Sequence, residues 1–143
     1  MTDDASLDAI RQFFDELIPF NKLVGIQLVA VERGRLSARI PFRHELIGDP
    51  TRPAVHGGVI STLADTVGGG AVFTLTKAGD KVATIDLRVD YLLPGQPADL
   101  FAEATVIRVG NRVGVASIEV TQEGVEGPIA VAKGVYTIKR ASD

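Results

Sequence analysis

The chain has 143 residues, enough for one domain whose hydrophobic core needs no disulfide or metal to hold it. Its formal net charge of −3 argues against general nucleic-acid binding, and the absence of cysteine excludes disulfides and thiol catalysis. Hydrophobic residues make up 45% of the chain without an apolar run of transmembrane length, so we expect part of this surface to be buried against another chain.

The N-terminal region is predicted to be helical. Apolar residues three and four apart indicate an amphipathic helix over residues 6–20, with Pro19 at its end. We therefore interpret residues 1–21 as an N-terminal helical extension of a single domain that spans 1–143. The acidic start has no basic segment followed by an apolar one, so no secretion signal is visible and we expect a cytoplasmic protein without membrane contact.

A hairpin and a loop follow this extension. Alternating residues predict strands over 23–31 and 35–42 on either side of the turn Glu32-Arg33-Gly34. Residues 44–55 are expected to be a loop because Gly48, Pro50 and Pro53 interrupt any regular pattern.

The central helix is predicted over 57–77, closed by Gly79. Gly57 and Gly58 stand at its start, where unpaired backbone N–H groups and the helix dipole can hold an oxygen that gains negative charge. Glycine lets a substrate carbonyl approach this backbone closely, although a tight turn with positive φ would also explain both glycines. Asp65 adds a carboxylate two turns further along. An oxyanion site and a carboxylate on one helix indicate acyl transfer or hydrolysis.

The helix face that carries Asp65 lacks the charged residues of a solvated surface. Three consecutive glycines, Gly68 to Gly70, cost roughly 1 kcal/mol each relative to alanine within a helix. Close approach of an acyl chain or of a second subunit would explain them, and so would simple packing of the helix on a sheet. On the Asp65 face we also place five further residues: Ser61, Thr62, Gly68, Gly69 and Val72.

Four strands complete the chain, over 82–93, 100–109, 112–121 and 129–139, separated by glycine-containing turns. Alternation in the first of them places Thr84 on the same face as Asp86, Arg88 and Asp90. One long apolar helix among hairpin-connected strands predicts an α+β fold in which an antiparallel sheet wraps around the helix.

The stretch HGGVISTLADTVGG (56–69) resembles the signature of the hotdog-fold acyl-CoA thioesterases, in the PaaI-like, phenylacetate-degradation branch of the 4-hydroxybenzoyl-CoA thioesterase superfamily. ATIDLRVDYLLPG (83–95) and TVIRVGNRVGVASIEVTQ (105–122) resemble the strand and hairpin that follow. The resemblance implies the hotdog fold, hydrolysis of an acyl-CoA without cofactor or metal, and a homodimer or homotetramer with active sites at the subunit interface. The chain has two histidines, His44 and His56, and because they are widely separated in the sequence we expect no metal site.

The resemblance also implies roles for individual residues. Asp65 would be the catalytic carboxylate, acting as general base on water or as nucleophile, and the residues do not separate these two. The Gly57 N–H would polarise the thioester carbonyl, and Gly58 would permit close approach of the substrate. Thr84 would orient the attacking water, although strand threonines are often only good β-formers.

Three further assignments carry a stronger structural alternative. His56 could be a general base, but its place beside the turn favours a hydrogen bond that fixes the loop presenting Gly57. Asp49 occupies the region where the resembled branch usually carries an asparagine near the carbonyl, but an ionised aspartate cannot donate a hydrogen bond. The alternative is that Asp49 is a turn residue before Pro50. Basic and polar residues at a turn would hold the CoA phosphates, or would simply be solvated: Arg108, Asn111 and Arg112.

The sequence therefore predicts an acyl-CoA thioesterase for an aromatic or medium-chain acyl group. Two alternatives remain open, a non-catalytic acyl-CoA-binding hotdog module and a hotdog hydratase or dehydratase acting on an acyl thioester. The presence of Asp65 favours catalysis, and the lack of a convincing catalytic histidine argues against the hydratase.

Overall fold

An antiparallel sheet curves around one long helix in the computed structural model, which describes residues 4–142. The helices are α1 (Leu7–Gln12), α2 (Pro19–Val24) and α3 (Gly57–Phe73), with a π-helical turn at Phe13–Leu17 and a 3-10 turn at His44–Leu46. The strands are β1 (Gln27–Glu32), β2 (Arg35–Ile40), β3 (Ile47–Asp49), β4 (Ala54–Val55), β5 (Lys81–Tyr91), β6 (Leu100–Val109), β7 (Val113–Thr121) and β8 (Ala130–Lys139).

Six of the strands form the main sheet in the order β1-β2-β6-β7-β8-β5, and every neighbouring pair is antiparallel. Helix α3 lies on the inner face of this sheet and buries Leu63, Val67 and Ala71 against it. The predicted α+β arrangement is therefore confirmed. Strand β5, which follows α3 in the chain, is an edge strand.

The N-terminal region differs from the single predicted helix. Ile18 is extended, as expected for a residue that precedes proline, and Pro19 begins α2 rather than ending α1. The helical region consequently reaches Val24, so the predicted start of the first strand at residue 23 is wrong. Gly25, with a φ of 91°, ends α2 in the left-handed conformation.

The hairpin of β1 and β2 turns where the sequence predicted, at Gly34 with a φ of 84°. This turn also closes the C-terminal end of α3. The Thr74 hydroxyl accepts a 2.7 Å hydrogen bond from the Gly34 N–H, and the Thr74 carbonyl accepts one of 2.8 Å from Arg33.

Helix α3 ends at Phe73, four residues before the predicted end. The N–H groups of Leu75 and Thr76 bond to carbonyls three residues back, which tightens the chain into a turn. Gly79 does have a positive φ, of 89°, but it lies in the turn before β5 and does not cap the helix.

The predicted loop at residues 44–55 is partly regular. The 3-10 turn leads into β3, which pairs with β4 immediately before α3. Two backbone hydrogen bonds fix this segment: the His56 N–H donates to the Leu46 carbonyl at 2.8 Å, and the Val55 N–H donates to the Gly95 carbonyl at 2.9 Å. The start of α3 is thereby held in a fixed position.

The glycines in the middle of α3 serve packing within the chain. A Cβ on Gly68 would lie 2.2 Å from the Tyr136 hydroxyl oxygen, and one on Gly70 would lie 2.9 Å from both Leu36 and Phe14. Gly68 and Val72 are buried, so they do not belong to the Asp65 face as predicted. The alternative of helix-on-sheet packing therefore accounts for Gly68 and Gly70.

A β-bulge in β5 breaks the predicted alternation. The pairing with β8 shifts between Thr84 and Asp86, so Thr84 lies on the face toward α3, where its hydroxyl meets Asp65, while Asp86 lies on the opposite face. Beyond the bulge, Leu87 and Val89 pack against the core. The prediction that Thr84 shares a face with Asp86, Arg88 and Asp90 is consequently wrong.

Candidate active site

The Asp65 carboxylate is held by Thr84 across the gap between α3 and β5. The Thr84 hydroxyl oxygen lies 2.9 Å from one carboxylate oxygen of Asp65 and 3.2 Å from the other. The hydroxyl has one proton, so the two carboxylate oxygens share a single hydrogen bond from Thr84. The bulge after Thr84 provides this geometry because it turns the hydroxyl toward the helix. The sequence-predicted pair of Asp65 and Thr84 is thus brought into direct contact.

Asp65 and Thr84 line a cleft of about 740 Å³, which we call the Asp65 cleft. The N-terminal region supplies apolar side chains to it, and α3 adds Gly69 and Phe73. Asp65 itself is only partly exposed. A carboxylate beside apolar walls is suited to act on a substrate that carries an apolar group next to its reactive atom. The N-terminal side chains are Phe13, Phe14, Ile18 and Phe20.

Tyr136 supports Asp65 from beneath, and the sequence analysis did not single it out. Its ring is 1% exposed, and its hydroxyl donates a 3.2 Å hydrogen bond to the backbone carbonyl of Asp65. Burial, with the nearby Asp65 charge as a further cause, raises the pKa of Tyr136 well above its ordinary value. Tyr136 therefore remains a neutral donor. The sequence signal for Tyr136 was the pair of glycines that make room for its ring, Gly68 and Gly134.

The start of α3 presents a free backbone donor. His56 is the N-cap, and its Nδ1 atom accepts a 2.8 Å hydrogen bond from the Gly58 N–H. This is the hydrogen bond that the structural interpretation of His56 requires. The Gly57 N–H, one position earlier, has no acceptor within residues 4–142.

Neither Gly57 nor Gly58 has a positive φ, so the alternative of a turn that requires one is excluded. Gly58 is needed for another reason. A Cβ there would lie 2.9 Å from His56 Nδ1 and would displace the capping imidazole. At Gly57 a Cβ would meet only Tyr91, at an ordinary contact distance of 3.4 Å.

Gly57 lines a second cleft, of about 500 Å³, which we call the Gly57 cleft. Its lining includes His56, Asp49 and Tyr91, and the Tyr91 hydroxyl donates a 3.0 Å hydrogen bond to the Gly57 carbonyl. Asp49 accepts hydrogen bonds from Thr51 and Arg52, which lower its pKa to about 2. The ionised Asp49 cannot donate to a carbonyl oxygen, so its contacts are those of a turn residue.

The two clefts are separate within one chain. Gly57 and Asp65 stand eight residues apart on α3, which is about 12 Å along the helix axis. A reacting carbonyl has to lie within about 3 Å of both an oxyanion donor and the attacking atom. One chain therefore does not bring the Gly57 N–H and the Asp65 carboxylate to the same thioester.

The basic residues predicted to hold CoA phosphates lie apart from both clefts. Arg108 and Arg112 are exposed on the β6–β7 hairpin and line neither cleft. Asn111 lies in a groove of about 460 Å³ together with Lys77 and Arg140. Arg140 donates to the Asn111 carbonyl at 2.8 Å and to buried Asp80 at 2.8 Å. This groove adjoins the Asp65 cleft, because Asp80 lines both.

Among residues 4–142, no helix has the length and apolar character needed to span a bilayer. Within the same residues, no three His, Asp or Glu side chains are grouped so that they could hold a metal ion.

Comparison with known proteins identifies the family. The thioesterase superfamily profile matches residues 53–129, a span that contains α3 and Thr84. A medium/long-chain acyl-CoA thioesterase, YigI of Salmonella typhimurium, is 30% identical, and the alignment covers 96% of this chain and 97% of that protein.

Two solved structures share the fold. A Shewanella oneidensis protein related to the thioesterase superfamily is 31% identical, with a TM-score of 0.81 over 92% of this chain and 94% of the other. The Escherichia coli PaaI protein from the phenylacetic acid degradation operon is 24% identical, with a TM-score of 0.76 over 85% of each chain. The predicted hotdog fold and thioester hydrolase family are both confirmed. This chain belongs to the thioesterase superfamily.

Proposed function

We propose that this protein hydrolyses an acyl-CoA to the free acid and CoA, with an aromatic or medium-chain acyl group. The observation that carries the proposal is the Asp65 carboxylate, held by Thr84 at the edge of an apolar cleft of about 740 Å³. The relative from Salmonella, whose name describes a medium/long-chain acyl-CoA thioesterase, supports the choice of CoA ester.

The chemistry requires a carboxylate beside the carbonyl carbon and a donor on the carbonyl oxygen. Asp65 either takes a proton from the attacking water or attacks the carbon itself to form an anhydride that water then opens. In both routes the C–S bond breaks, and the CoA thiolate leaves and is protonated. The Gly57 N–H, at the positive end of α3, is the donor for the carbonyl oxygen as it gains negative charge.

The separation of the two clefts supports a site shared by two chains. Strand β5 is 11 residues long, and its outer edge pairs with no strand among residues 4–142. On this strand Ile85 is 58% exposed and Tyr91 is 52% exposed. Thr84 borders the Asp65 cleft, and Tyr91 borders the Gly57 cleft. A copy paired antiparallel along β5, about a two-fold axis between these residues, would set the Asp65 cleft of one chain beside the Gly57 cleft of the other.

We therefore predict a homodimer, or a homotetramer built from such dimers. Sedimentation velocity at micromolar concentration should give a species of at least twice the 15.2 kDa chain mass. A 15.2 kDa monomer with full activity would contradict both the assembly and the shared site.

The activity is tested directly with a panel of acyl-CoAs and a thiol-reporting dye. The panel runs from acetyl-CoA to palmitoyl-CoA and includes phenylacetyl-CoA and benzoyl-CoA. Release of CoA thiol that is fastest with aromatic or medium-chain esters is the expected result. The hydratase alternative is tested by incubating the protein with an enoyl-CoA and measuring the loss of its absorbance as the double bond is hydrated. Binding of an acyl-CoA without thiol release or hydration would instead identify a non-catalytic module.

Thr84 provides a further prediction. Thr84→Val keeps the branched shape and removes the hydroxyl that orients Asp65, so kcat should fall by about 10- to 100-fold, or roughly 1.4 to 2.7 kcal/mol. KM should change little, because this hydroxyl bonds to Asp65 and not to the acyl group. Steady-state kinetics on the best acyl-CoA measures both constants.

Two controls accompany this measurement. Thr84→Ser keeps the hydroxyl and should retain most activity, while Thr137→Val changes an exposed strand threonine on neighbouring β8 and should be neutral. Full activity in Thr84→Val would reduce Thr84 to an ordinary strand residue.

A further inference from the structure

The N-terminal region forms one wall of the Asp65 cleft, although it lies outside the part of the chain that the superfamily profile matches. Phe13 belongs to the π-helical turn, and Phe20 belongs to α2. Both remain largely exposed within the single chain, Phe13 at 42% and Phe20 at 53%. Two large aromatic rings beside a catalytic cleft are therefore available for contact with a ligand.

This wall is held in place by contacts behind it. Phe14 is 9% exposed and packs against Gly70 of α3, and Asn21 is 3% exposed and donates a 3.1 Å hydrogen bond to the Phe14 carbonyl. The Asp15 carboxylate accepts a 2.9 Å hydrogen bond from the Leu28 N–H of β1. Phe13 stacks on Phe73 with ring centroids 6.2 Å apart. The exposed rings are thus presented by an anchored segment.

The two successive phenylalanines of the π-helical turn have different surroundings. The rings of Phe13 and Phe14 lie 6.0 Å apart and nearly perpendicular, at 85°. Phe14 points into the packing beneath the segment, while Phe13 stays at the cleft. Since Phe13 and Phe20 contribute little to the core, their truncation should leave the fold intact.

We infer that Phe13 and Phe20 cover the distal part of the substrate's acyl chain and so set the preference for acyl-chain length. This inference rests on the proposed acyl-CoA hydrolysis. Phe73, on which Phe13 stacks, lies eight residues beyond Asp65 on α3, about 12 Å along the helix axis. With the reacting carbonyl at Asp65, only a longer acyl chain in the same cleft therefore extends as far as this aromatic wall. One methylene covered by an apolar wall changes the discrimination between two substrates by about 10-fold or more.

The test compares kcat/KM for butanoyl-CoA and decanoyl-CoA in the wild type and in Phe20→Ala and Phe13→Ala. The ratio of decanoyl-CoA to butanoyl-CoA should fall about 10-fold in each variant, since only the longer chain loses apolar cover. Leu23→Ala and Leu17→Ala are matched controls from the same α2 helix and the same π-helical turn. These leucines are 69% and 61% exposed and line no part of the cleft, so the ratio should not change.

A binding measurement keeps this inference separate from the proposed function. S-decyl-CoA and S-ethyl-CoA are thioethers that cannot be hydrolysed, and calorimetry gives their Kd for each variant. Weaker binding of S-decyl-CoA alone, in Phe20→Ala and Phe13→Ala, is the expected result. An unchanged length ratio in an active enzyme, or equal losses for short and long chains, would overturn the inference. A wild type that hydrolyses no acyl-CoA would overturn the proposed function instead.

Discussion

Replacing Asp65 with asparagine should lower kcat by about 10²- to 10⁴-fold while the fold survives. The amide keeps the size of the side chain and can still accept the Thr84 hydrogen bond, but it is neither a base nor a nucleophile. Asp65→Ala should be equally inactive. The measurement is steady-state hydrolysis of the best acyl-CoA, with thermal unfolding and far-UV circular dichroism to establish that the variants are folded.

A carboxylate elsewhere in the chain serves as the control. Glu119 is exposed on β7, which β8 separates from β5, and Glu119→Gln removes the same charge at a residue that lines neither cleft. It should retain wild-type turnover. Turnover near the wild-type value in Asp65→Asn would remove Asp65 from the mechanism and leave the Asp65 cleft as a binding site only.

Much of this arrangement was predictable because local patterns encode it. The apolar periodicity of α3, the turn at Gly34 and the hairpin-connected strands each predict their element without knowledge of the rest of the chain. The placement of Gly57 at the helix start followed from two glycines before an apolar run. These features also locate the helix-borne donor and carboxylate, Gly57 and Asp65.

Features that depend on tertiary contacts were not predictable. The bulge that turns Thr84 toward Asp65 is a property of pairing between β5 and β8, and strict alternation gave the wrong face. Gly68 is small because Tyr136, 68 positions later, fills the space beside it. Pro19 was a local signal for the break in the N-terminal region at Ile18. No local pattern indicated the contacts that bring Phe13 and Phe20 to the Asp65 cleft.

Gly57 allows a rare test of a backbone donor by substitution. It is the first residue of α3, a position where proline is well tolerated, and the preceding His56 has φ of −58° and ψ of 130°, which a following proline accepts. Gly57→Pro should therefore remove the N–H and keep the helix, lowering kcat by about 10²- to 10³-fold. Gly57→Ala retains the N–H and adds a Cβ at ordinary distance from Tyr91, so it should keep most activity.

Combining the two inactive variants tests whether the site is shared between chains. A heterodimer of Asp65→Asn with Gly57→Pro has one site that joins the intact Gly57 of the first chain to the intact Asp65 of the second. Its other site has lost both groups. Random pairing of equal amounts should then restore about a quarter of wild-type activity, because half of the dimers are mixed and each has one working site. Co-expression with two different affinity tags isolates the mixed dimer for the assay. If Gly57 and Asp65 act within one chain, the mixture will stay as inactive as its components, and the proposed pairing along β5 will be wrong.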